Sequence, residues 1–245
     1  MKYHHKFLIG GFSMSAASRP VGRPVVFTRA DIVAAGCKLG LQGLRISAVA
    51  ASLGVSTAAL YRHIDGRWEL ERLVGEELLS RLSVADNPEH DTTEHLVSFA
   101  VALRAFVTAH PGLASYMLVL FPRGESSARL IREQVDALGR RGYPVEVAVT
   151  IAGCVARVAL SLVAADEQRR AANDGADFLA ENEKAHDVLT AQGAIGPAYE
   201  RRWMLTDDEY FAMLIATAVR GFVVAAPPGR PVDEVMAALR DQGTS

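Results

Sequence analysis

Between Arg45 and Arg67 the chain sets Ser47, Ser56, Thr57, Tyr61, Arg62 and His63 among small alanines. These hydroxyl, imidazole and guanidinium groups suit phosphate oxygens and base edges rather than bond-breaking. Ala58 and Ala59, beside Thr57, keep one helix tip narrow enough to approach the floor of a major groove. Catalysis lacks its parts, since the chain has no Gly-rich phosphate loop, no nucleophile elbow and no paired carboxylates in a recognisable setting. An enzyme is therefore not expected. Nor is a cofactor or metal site, because His4 and His5 stand in a doubtful N-terminal extension and no divalent-metal cluster appears elsewhere. Cys37 and Cys154 lie far apart inside apolar helical patterns and read as buried thiols of a reducing cytoplasm.

Positioning these donors requires short helices and a tight turn. Thr28 offers an N-cap, and Ile32, Val33, Ala35, Gly36 and Leu39 recur at helical spacing until Gly40. A second helix is expected over Ile46 to Leu53. Gly54 makes the turn, Ser56 caps a third helix to about Ile64, and a fourth begins near Arg67. Val49, Leu53, Val55, Leu60 and Ile64 form the shared core of the pair. The opposite face of the third helix is left for a partner.

The segment from Arg23 to Leu82 resembles the TetR family of regulators. The resemblance rests on Gly54-Val55-Ser56, Leu60-Tyr61, His63-Ile64, Arg67 and Leu70. It implies a DNA-binding helix-turn-helix in which Thr57, Ala58 and Ala59 meet base edges, Tyr61 and His63 clamp phosphates, and Arg67 supplies the basic residue at the start of helix four. Ser47 occupies a position where the family often places a contact. Arg45 departs from the Ser or Thr usual there; it can serve a phosphate but not cap a helix. Arg23, with Arg19 in Arg-Pro-Val-Gly-Arg-Pro, either reaches an adjacent minor groove or belongs to an unstructured arm.

Charge agrees with this division. Residues 1–67 hold nine Lys or Arg against Asp31 and Asp65, whereas the remainder holds 17 basic and 26 acidic residues. A basic head on an acidic body points to a polyanion at one end and another task at the other. Met1 to Phe12 lacks a signal-peptide core, and Met14 is a candidate natural start. Val147 to Ala165 is broken by Arg157 and reads as a buried helix.

The expected fold is all-α. Residues 1–22 form an arm, 23–82 a three-helix DNA-binding domain built on the helix-turn-helix, and 83–245 a helical ligand-binding and dimerisation domain. Helices are expected at about 94–109, 111–121, 125–141, 144–171, 206–226 and 232–241. The charged stretch 166–205 is expected to be a mobile excursion with some helix. Gly142 to Glu146 and Asp208 to Phe211 are similar to the tetracycline-repressor branch, whose two corresponding helices pair across a dimer. Polar residues inside apolar patterns, Arg104, His110, Tyr116, Cys154, Arg157 and Ser161, are the ligand candidates. Arg157 needs either a ligand carboxylate or an ion pair, and His110, before Pro111, either a ligand or a capping role. Trp68 is expected to pack between head and body. The resulting expectation is a homodimer on a palindromic operator of double-stranded DNA, released by a small molecule. An effector-free DNA clamp and an activator are the alternatives.

Overall fold

The computed structural model describes residues 26–172, 176–203 and 205–242, and among these there are twelve helices and no strand. The arm with Arg23 lies outside the described residues.

Local chemistry accounts for the head. In α1 (Arg29–Leu39), the Thr28 side chain accepts from the Asp31 backbone while Asp31 accepts from the Thr28 backbone, a reciprocal capping box. Helix α2 (Ile46–Leu53) ends where Gly54 takes the left-handed conformation, φ 67° and ψ 29°, which a Cβ would disfavour. Ser56 Oγ then accepts from the Ala59 N–H and opens α3 (Thr57–Leu60). The α-helical part of α3 is only one turn long, and tighter turn bonds carry the chain on to Ile64. Helix α4 (Arg67–Leu79) packs on α1 and delivers Leu70, Val74 and Leu78 to the core.

The body comprises α5 (Thr92–Thr108), α6 (Leu113–Leu120), α7 (Glu125–Arg140), α8 (Val145–Ala172), α9 (Ala176–Thr190), α10 (Ile195–Trp203), α11 (Asp207–Ala225) and α12 (Val232–Gln242). Helix α8 is long and apolar enough to cross a membrane, yet it packs against α5, α6, α7 and α11 as the central helix of the body. The stretch expected to be an excursion is largely helical: α9 and α10 pack on each other.

Helix α4 is fastened to the body at both ends of its contact with α7. Glu76 accepts from the Ser126 backbone N–H at 2.8 Å and from the Ser127 hydroxyl, placing a carboxylate at the N-terminus of α7, whose own N-cap residue Gly124 has no side chain to offer. In return Arg129 donates to the carbonyls of Leu79 (3.1 Å) and Leu82 (2.8 Å) where α4 ends. Tyr116 of α6 lies against α4 at Gly75, where any Cβ would overlap the phenol ring. Helices α6 and α7 thus both contact α4 directly.

Candidate DNA-binding face and ligand cavity

The exposed surface of the head carries Arg45, Ser47, Ser56, Thr57, Ala58, Tyr61, Arg62 and Arg67, with His63 half-buried. Arg45, Ser47, Thr57, Tyr61 and Arg67 border one notch of about 530 Å³ between α2, α3 and the start of α4. Tyr61 is 56% exposed, a large aromatic held out into solvent. Arg45 occupies the N-cap of α2 without capping it, as its side-chain type requires, and neither it nor Arg62 makes an ion pair among the described residues. Arg67 bonds Glu71 through Nε at 2.6 Å and lies over the Trp68 ring, leaving its outer guanidinium N–H groups available. His63 packs against Phe27 at the edge of the face, with ring centroids 4.7 Å apart and the rings inclined by 50°.

One base-reading expectation is corrected. Ala59 is buried at 9% exposure, on the same side of α3 as Leu60, while Thr57 and Ala58 remain outside. Trp68 is likewise not packed between head and body. It borders a cleft with Tyr116, Gly112 and Glu167, but 61% of it is exposed. Glu167 closes that cleft by accepting from the Gly112 backbone N–H at 3.2 Å, and burial pushes its carboxyl above the usual range.

The body holds a separate cavity of about 150 Å³ between α5, α6, α7 and α8. Leu103, Met117, Phe121, Leu130, Ala152 and Leu160 are among its walls, and Gln134 is its one polar lining residue. Val149 and Gly153 reach it from an exposed stripe of α8, so the cavity borders that stripe. Gln134 is 4% exposed and its Oε1 is buried without a hydrogen-bond partner. It lies near His95, itself buried, whose Nδ1 stands 3.1 Å from Asp86 Oδ1. Burial opposes the charge of Asp86, but Arg141 and Arg140 outweigh it and hold the carboxyl down to about 2. Burial, reinforced by Arg141, lowers His95 despite the attraction of Asp86.

None of the six ligand candidates lines this cavity. Arg104 pairs with Asp208 at 2.8 Å and lies 4.4 Å over the Phe211 ring, joining α5 to α11. His110 bonds the Phe106 carbonyl through Nδ1 at 2.8 Å and caps the end of α5. Tyr116 faces the head-body cleft, with its hydroxyl buried and unpaired and burial pushing its pKa up to about 12. Cys154 is half-buried and free. Arg157 and Ser161 are exposed on α8, so the buried guanidinium that needed a partner is instead at the surface. Gln134 was missed although its spacing marks it: Ser127, Leu130, Gln134, Ala137 and Leu138 form one buried stripe of α7.

No protein-family profile matches the chain. In sequence it is similar to the nucleoid occlusion factor SlmA of Enterobacter sp. (strain 638), 33% identical over 107 residues, which is 40% of this chain and 54% of that protein. The chain thus spans about half the length of this curated relative. In structure it is similar to apo ActR from Streptomyces coelicolor, with a TM-score of 0.70 at 19% identity over 82% of this chain and 99% of that one. The complex of the TetR family protein ActR with actinorhodin matches at a TM-score of 0.66 and 19% identity, over 83% of this chain and 99% of that one.

Proposed function

From the TetR-family fold that this chain has, we propose that it is a homodimeric, DNA-binding transcriptional repressor of the cytoplasm, released from a palindromic operator when a small molecule enters the cavity of the body. One observation carries this reading. The head presents a donor-lined notch with Arg45, Ser47, Thr57, Tyr61 and Arg67, while the body holds an apolar cavity whose wall helices α6 and α7 contact α4.

Thr57 and Ala58 at the tip of α3 are the base-edge contacts. Tyr61, Arg45, Arg62 and Arg67 hold phosphates around them, fixing register without reading sequence. The dimer forms through α8 and α11, which pack on each other and expose Val149, Met213 and Val224 in one chain alone. Two heads must lie about one turn of DNA, roughly 34–36 Å, apart to reach successive major grooves.

Release follows from the walls of the cavity. Met117 of α6 and Leu130 of α7 line it, Tyr116 of α6 abuts Gly75 of α4, and the N-terminus of α7 grips Glu76 of α4. A ligand that spreads α6 and α7 shifts α4 and alters the separation of the heads. It weakens DNA binding only by its preference for that second arrangement. The small volume of the cavity favours one other reading, a DNA-binding dimer with no effector.

The test is selection of random duplex DNA by the purified protein, followed by a screen of small molecules for loss of binding. A selected palindrome released by a compound supports the repressor reading. A palindrome that no compound releases supports the effector-free dimer, and failure to select one overturns both.

A further inference from the structure

The cavity's lining contains no Lys, Arg, His, Asp or Glu. A charged molecule would lose its hydration there with nothing to replace it. An aliphatic cavity of about this volume holds one ring, benzene being the known occupant of such a space. The single polar lining group, Gln134, is more than nine-tenths buried and presents a carboxamide oxygen with no donor.

His95 cannot satisfy that oxygen. Its Nδ1 faces the Asp86 carboxylate, which only accepts, so the ring proton resides on Nδ1 and the neutral ring offers a lone pair at Nε2. The end of the Gln134 carboxamide that meets His95 Nε2 is therefore its NH2, which donates to that lone pair. The carboxamide oxygen, at the other end of the group, is left to accept from elsewhere, and the cavity that Gln134 lines is the space beside it.

We propose that the cavity binds a neutral, largely apolar molecule of about one ring, carrying a single O–H or N–H that donates to Gln134. This rests on the reading of the body as an effector domain and names the class of effector. Gln134 sets the preference for donors over plain hydrocarbons, while the remaining walls exclude anions.

The test titrates the purified full-length protein, without DNA, with phenol, toluene and benzoate by calorimetry, for the wild type and for Gln134→Leu. Phenol is expected to bind about tenfold tighter than toluene, the ratio that one net hydrogen bond supplies, and benzoate to bind far more weakly than either. In Gln134→Leu the preference for phenol should vanish while toluene binds at least as well. Gln134→Met repeats the measurement with an unbranched side chain of similar length should the leucine variant not fold. Equal affinity for benzoate and phenol, a phenol-to-toluene ratio unmoved by either variant, or no binding of phenol or toluene overturns the proposal. Operator release is read separately. Gln134-dependent binding of phenol that leaves DNA bound upholds the ligand class and sinks the effector reading. A ligand that frees DNA equally well from Gln134→Leu sinks the class assignment alone.

Discussion

Replacing Gly75 by Ala tests the contact proposed to couple the body to the head. In most exposed helix interiors Gly→Ala stabilises, by about 1 kcal/mol. Here the added Cβ would overlap the outer carbons of the Tyr116 ring, which is only 5% exposed and must shift toward the cleft it borders. Overpacking of this kind costs about 1–3 kcal/mol. The two effects leave a net destabilisation of about 1 kcal/mol, seen as a fall in Tm of roughly 2–4 °C for a chain of this size. Tyr116→Leu removes the atoms that collide. In that background Gly75→Ala should reverse sign and stabilise by about 1 kcal/mol, a coupling of about 2 kcal/mol. Thermal melts of the four proteins, with operator affinity measured alongside, decide the matter. Gly75→Ala alone should weaken operator binding while the protein stays folded. If Gly75→Ala stabilises in both backgrounds, or if the coupling is near zero, the α4–α6 contact is not the tight one described and release cannot be transmitted through it.

Removing the cap in Ser56→Ala should cost about 1 kcal/mol of stability, measurable by urea denaturation, since the Ala59 N–H then keeps only its bond to the Ser56 carbonyl. Arg67→Ala and Tyr61→Ala should weaken binding to all DNA sequences, and Arg67→Ala should lower the slope of log affinity against log salt by about 1; Thr57→Val should instead change which bases are selected. Unaltered affinity in the first pair would remove them from the phosphate contacts. Stability should fall in two steps on acidification. His95 has a folded value below its ordinary 6.5, so the unfolded chain takes up its proton first and stability declines as pH drops below about 6.5. Asp86 has a folded value of about 2 against an ordinary 3.8, so its contribution is present above about pH 4 and is lost between there and pH 2. Urea midpoints from pH 8 to 2 should lose the upper step in His95→Gln and the lower in Asp86→Asn; retention of both steps would exclude these groups as their origin.

The amino-acid sequence by itself determined the helical framework, because the signals that set it are local. Thr28 with Asp31, Ser56 with the Ala59 N–H, and Gly54 in the left-handed region each act within a few residues and need no distant partner. Helix α2 accordingly spans the expected residues, and α8 begins within a residue of its expected start. The tertiary structure decided which faces turn inward. Helix α8 is apolar on nearly every side, so its own pattern does not distinguish the exposed Arg157 from a buried one; its four neighbouring helices make that choice. Ala59 is small enough to suit either the groove or the core, and the docking of α3 on the rest of the head turns it inward. Gln134 is the converse case, a polar residue at an apolar spacing. Its place among Leu130, Ala137 and Leu138 was legible, but the cavity beside it exists only where four helices, distant in the chain, fail to fill the space between them.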